Sequence, residues 1–122
     1  MKRDKGPGGG TNVEALLGQY AELAILHGQA LSEADHKSAN GLHSRITKIY
    51  NTLQGLGDEA RSELLALLEH PEISVRSWAA AHALDFAPER GEPVLAQITA
   101  EGPMPFSLSA ETVLDAWRAS KP

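Results

Sequence analysis

The amino-acid sequence predicts an all-α protein, and three observations predict it. Apolar residues recur at three- and four-residue steps along most of the chain, and no period-two run or hairpin dipeptide lies between apolar stretches. Ala and Leu are abundant and the aromatic residues are few (Tyr20, Tyr50, Trp78, Phe86, Phe106, Trp117), so the core draws on small and aliphatic side chains that favour helices. Segments of the second half also match one another at offsets of 30 and 33 residues, which is the range in which helical hairpins repeat. With 122 residues, 42% hydrophobic and 22% charged, the chain suffices for one folded domain and is too short for two of ordinary size.

Residues 1–10 are a charged, Gly-rich lead with too few side chains to offset their ordering entropy, and are read as a flexible N-terminal arm before a single helical domain at 11–122. Thr11 followed by Glu14 has the form of a capping box, so the first helix is expected to start there. Its apolar face is Val13, Leu16, Leu17, Tyr20, Leu23, Ala24 and Leu31, with Gly28 as a weak point near its end. The second helix spans about Asp35 to Leu56 on the stripe Leu42, Ile46, Ile49, Tyr50, Leu53 and Leu56. Because Asn40-Gly41 is a turn signal, the alternative start lies just after it.

Gly57 then serves as the residue past a helix end and Asp58 as the N-cap of a third helix with face Leu64, Leu65, Leu67 and Leu68, stopping near His70-Pro71. Ser74 is the expected N-cap of a fourth helix running to Phe86, with Ile73 and Trp78 as a hydrophobic staple. Pro88 opens a fifth helix (Val94, Leu95, Ile98), which Gly102-Pro103 closes. A sixth carries Val113, Leu114 and Trp117.

Leu64-Leu65 with Leu68 recurs as Val94-Leu95 with Ile98, and Ser74, Val75, Ala80, Ala83 and Leu84 recur as Ser107, Leu108, Val113, Ala116 and Trp117. Helices three and four therefore look like one copy of a hairpin that helices five and six repeat, each burying its apolar face against its neighbour as in a solenoid. The segment His70-Pro71-Glu72-Ile73-Ser74-Val75-Arg76-Ser77-Trp78-Ala79-Ala80 resembles the junction and second helix of a HEAT repeat, where a Pro-containing turn leads to Val-Arg and an alanine pair. Leu84 departs from that pattern, lying nine residues after Val75 where eight is common. The stretch from the first helix to Trp117-Arg118 is also similar to a small bacterial HEAT-like family without an assigned function. The resemblance implies a short right-handed α-solenoid of about three antiparallel helix pairs and implies no activity.

Charge is distributed unevenly. The formal net charge is -5, with +2 in residues 1–10, -1 in 11–57 and -6 in 58–122. An acidic second half repels phosphate, so no nucleic-acid surface is expected beyond the small basic group Lys37, Arg45 and Lys48, and a basic protein is the better electrostatic match. The absence of cysteine removes disulfides, thiolate catalysis and Cys-ligated zinc, and fits a cytoplasmic setting. Lys2, Arg3 and Lys5 precede Gly and Pro rather than an apolar run, and the most apolar stretch, Ala21 to Leu31, is interrupted by Glu22, His27, Gly28 and Gln29. Neither an export signal nor a membrane span is expected.

No arrangement of residues amounts to a catalytic signature. His82, four residues after Trp78 on one helix face, is expected to be buried, hydrogen-bonded or stacked on Trp78, because no local Ser, Cys or carboxylate is spaced to work with it. His27, His36 and His43 are the candidate metal group, but seven residues separate the last two and no third ligand follows, so solvated side chains and no metal are expected. His70 at a helix C-terminus is explained by the helix dipole. The pairs Glu59/Glu63 and Glu111/Asp115 lie side by side on helix surfaces, unlike catalytic carboxylates facing each other across a cleft. The alanines of the fourth helix are read as close packing rather than a groove.

These readings lead to a non-enzymatic interaction module without cofactor, binding a protein partner on the face formed by the second helix of each pair. The expected partner is basic, and the expected role that of an inhibitor, immunity or regulatory factor. The candidate contact residues are Lys48, Asn51, Ser77, Trp78, Glu111 and Asp115, with Trp78 either a staple or an exposed anchor. The alternatives are a HEAT-like nucleic-acid-binding or base-excision enzyme and a small His-dependent enzyme.

Overall fold

The computed structural model describes residues 9–121, all of whose regular elements are helical. They are α1 (Gly9–Ser32), α2 (His36–Gly55), α3 (Asp58–Ser62) continued by a 3₁₀ segment (Glu63–Glu69), α4 (Ile73–Ala83), α5 (Pro88–Glu101) and α6 (Phe106–Ser120). Among the described residues no helix is long and apolar enough to cross a membrane.

Several boundaries differ from the sequence reading, each for a local reason. The backbone is already helical at Gly9, so Thr11 is not the first cap and the helical domain begins two residues before 11; the rest of the Gly-rich arm lies outside the described residues. Helix α1 closes with Ala34 in the left-handed region (φ 57) and the Asp35 N–H donating to the Ala30 carbonyl at 2.8 Å, a C-terminal motif usually built on glycine. Asp35 then caps α2, its carboxylate accepting from the Ser38 N–H at 3.1 Å. A capped start makes Asn40-Gly41 part of the helix, on its exposed side.

Gly57 takes φ 118 between α2 and α3, as a residue past a helix end does, but it is also the cap of α3, and Asp58 is the first helical residue. The third helix tightens into 3₁₀ geometry from Glu63, keeping Leu64 and Leu68 buried. Helix α4 starts one residue earlier than expected. Glu72, in extended backbone, precedes it, and Ser74 is a buried helical residue rather than a cap. Ile73 and Trp78 do not form a staple, since the Ile73 side chain turns to Gly102 while Trp78 turns to α1. The regular helix ends at Ala83, and turns carry the chain to Pro88.

Helix α4 is the centre of the packing. It touches the 3₁₀ segment, α5, α1 and α6, while α1 runs along α2 and α5 along α6. Its small residues Ala79, Ala80 and Ala83 are fully buried, which lets neighbouring axes approach. Two glycines on the partners complete the approach. A Cβ on Gly28 of α1 would meet the Ser74 Cβ at 2.7 Å, and one on Gly91 of α5 would meet the Ala80 carbonyl oxygen at 2.5 Å. Gly28 is therefore a crossing point and not a weak one. Tyr20, Ile46, Leu53, Leu64, Val75 and Leu95 are the largest fully buried side chains of the core.

Candidate functional site

Long side chains of α1 and α2 reach those of α4 and bring six aromatic and imidazole rings into one row. The Trp78 indole N–H donates to His27 Nδ1 at 3.2 Å, and the rings meet edge-on with centroids 5.2 Å apart. His43 of α2 approaches the same indole at 5.1 Å and lies 6.3 Å from His27. One turn further along α4, His82 lies flat on Tyr50 with centroids 3.9 Å apart and planes within 1°. The Tyr20 hydroxyl of α1 shares a 2.7 Å hydrogen bond with His82 Nδ1, and the Tyr50 hydroxyl donates to Asp85 Oδ2 at 3.1 Å.

Burial sets the protonation of four of these rings, His82, His27, Tyr20 and Tyr50. Desolvation, helped by the neighbouring His43, pushes His82 down to about 4, and the same two causes in the same order lower His27. Burial pushes Tyr20 well above its ordinary value, with Tyr50 adding to it, and burial together with Asp85 pushes Tyr50 up to about 12. The His82 and His27 imidazoles and both phenols are thus neutral at pH 7. Because an indole nitrogen can only donate, the neutral His27 ring accepts at Nδ1 and carries its proton on Nε2.

Beside Trp78 opens a groove of about 250 Å³ lined by α1, α2, α4 and α6. Its apolar walls include Leu31, Ala81, Phe106 and Val113, and its polar groups are the His27 and His43 imidazoles and the hydroxyls of Ser74, Ser77 and Ser109. Among the described residues none of these hydroxyls is hydrogen-bonded to an imidazole, so no serine is paired with a base. Among the described residues there is also no group of three or more His, Asp or Glu positioned to hold a metal ion.

Of the residues singled out from sequence, Ser77 and Trp78 line this groove, and Trp78 is neither staple nor freely exposed. Lys48 and Asn51 are exposed on α2 and do not line it. On α6 the lining residues Phe106, Ser109 and Val113 follow one another at three and four residues, which leaves the exposed Glu111 and Asp115, each two residues off Val113, on another side of the helix. His36 is exposed and apart from the row, while His27 is not the solvated side chain expected. His82 is hydrogen-bonded and stacked, though on Tyr50 rather than Trp78. His70 caps the 3₁₀ segment, accepting at Nδ1 from the Glu72 N–H at 3.0 Å. Tyr20 and Tyr50 read in sequence only as members of apolar stripes. Nothing local to either marks its imidazole partner.

A family model described as Domain of unknown function (DUF2019) matches residues 14–117. The fold is similar to the crystal structure of the protein RPA1889 from Rhodopseudomonas palustris CGA009, with a TM-score of 0.81 and 26% identity over 90% of this chain and 93% of that one. No curated protein matches the sequence.

Proposed function

The chain belongs to the DUF2019 family, and from its own surface we propose that it is a non-enzymatic protein-interaction module whose partner docks on the face of α2, α4 and α6. The observation that carries this is the groove itself. It is bounded by those helices together with the end of α1, exposes part of Trp78 beside Ser77, and is walled mainly by apolar side chains. His82, the most perturbed base, is tied to Tyr20 and Tyr50 and lies outside the groove lining, which favours binding over chemistry.

The finer architecture we read as a short HEAT-like solenoid of three helix pairs. Supporting it are the offsets of 30 and 33 residues and the packing of α4 against both the 3₁₀ segment and α6. Arg76 of the Val-Arg motif adds to this, its Nη1 donating to the carbonyls of His70 and Pro71 at 2.8 and 3.0 Å and so bracing the turn between the two helices.

A basic partner suits the charge of -6 in residues 58–122. Glu111 and Asp115, exposed but off the groove, would steer such a partner rather than seat it. The test uses the purified chain as bait, with captured proteins quantified against two variants, Ser77→Arg and Glu111→Lys/Asp115→Lys. A basic protein held by wild type and lost with Ser77→Arg supports the reading, and the double reversal then slows association and flattens its salt dependence. If no captured protein distinguishes wild type from Ser77→Arg, the face is wrong.

A further inference from the structure

Beneath the docking face, the groove has a chemistry of its own. Its His27 wall carries a donor fixed in place, because the Trp78 N–H occupies Nδ1 and the ring's proton must be on Nε2. Neither His27 Nε2 nor either nitrogen of His43 has a hydrogen-bond partner among the described residues. The rings of His27 and His43 stand 6.3 Å apart on different helices and both line the groove. None of the lining residues is Asp, Glu, Lys or Arg, while Leu31, Phe106 and Val113 form an apolar wall.

We propose that this groove binds a small organic acid, its apolar body against Leu31, Phe106 and Val113 and its carboxylate between His27 and His43. A volume of about 250 Å³ is just under the range of drug-sized sites, so the ligand is small. An organic cation finds no counter-charge there. An uncharged amide has one oxygen to set against two ring N–H donors. A carboxylate gains from both rings, because it only accepts and offers one oxygen to the His27 Nε2–H and another to an N–H of His43, while His27 keeps its bond to Trp78.

The other titratable groups around the pair do not share this role. His82, on α4 behind Trp78, is held neutral by burial down to about pH 4, and Tyr20 of α1 and Tyr50 of α2 are neutral throughout. Asp85 is occupied by the Tyr50 hydroxyl on the far side of His82, and Arg61 lies over Phe86.

The experiment titrates the isolated chain with phenylacetate, phenylacetamide and phenethylamine, three near-isosteres that are anionic, neutral and cationic. The readout is the indole N–H resonance of Trp78, assigned with Trp78→Phe. For a ligand of about ten non-hydrogen atoms a millimolar dissociation constant is expected for phenylacetate. Phenethylamine should leave the resonance unmoved, and phenylacetamide should bind more weakly. His43→Leu, which removes the second ring N–H at an exposed position, should weaken phenylacetate about tenfold. No shift with phenylacetate, equal binding of the amine, or undiminished phenylacetate binding by His43→Leu would each overturn the proposal. The titration contains no protein partner, so its failure leaves the docking reading to its own capture test.

Discussion

Gly28 sits where α1 crosses α4, and the Ser74 Cβ that a new methyl group would meet at 2.7 Å is too near the backbone to swing away. Gly28→Ala should therefore force the two helices apart and cost about 1–3 kcal/mol in urea denaturation, despite the better helix propensity of alanine. His82 gives a prediction in pH. Folding holds the ring neutral, with a value near 4 against 6.5 for the free side chain, so the unfolded state takes up a proton first. Its contribution is complete above pH 6.5, is lost as pH falls from 6.5 towards 4, and amounts to about 3 kcal/mol when the loss is complete. His27 is shifted the same way and adds to the loss. Denaturation at about pH 7.5 and 4.5 should show a smaller difference for His82→Gln than for wild type; an equal difference would place the acid sensitivity elsewhere. The bonded, buried character of His82 was legible from its place beside Trp78 and the lack of a local catalytic partner. That Tyr50 and Tyr20 would be its partners was not, because contacts 32 and 62 positions away leave no mark in local spacing.

At the scale of elements, the ends marked by proline and glycine were the legible ones: Pro88 opens α5 and Gly102 stops it. The start of α2 was placed near Asp35 but left open against Asn40-Gly41, because the cap that decides it, Asp35 on the Ser38 N–H, was not read from the sequence. Ser74 misled because serine is both a good cap and a side chain small enough to pack against a glycine on a crossing helix, and tertiary packing took the second use. The 3₁₀ turn of Glu63–Glu69 escaped notice because its leucines fit three-residue and four-residue steps equally well. For α6 the sequence places Trp117 on the apolar side. The ring is only partly buried, with the Lys121 ammonium 4.3 Å from its centre. Trp117→Ala should accordingly cost about 1–2 kcal/mol by chemical denaturation, less than the 3–5 of a fully buried tryptophan. A loss of 3 kcal/mol or more would show that α6 depends on this ring alone for its anchoring.

Across the whole molecule, the helical class and the uneven charge were readable because they are sums over many residues, whereas the groove was not, since it exists only once α1, α2, α4 and α6 have met. The ion pair of Arg118 with Glu92 at 3.0 Å links the exposed surfaces of α6 and α5 and adds little to stability there. The stack of His82 on Tyr50 has a consequence in time. A hairpin of α1 and α2 closes through a turn of three residues and leaves the ribosome complete, yet Tyr50 has no flat face to lie on, and the Tyr20 hydroxyl no acceptor, until α4 has been synthesised. Contacts so distant along the chain close late, after local helices have formed. In stopped-flow chevrons, Tyr50→Leu should steepen neither limb and should act mainly by speeding unfolding; a slowed refolding limb would instead place the stacked rings in the nucleus. On that ordering the nascent chain holds a pre-formed hairpin whose last aromatic layer is laid down by residues synthesised more than thirty positions later.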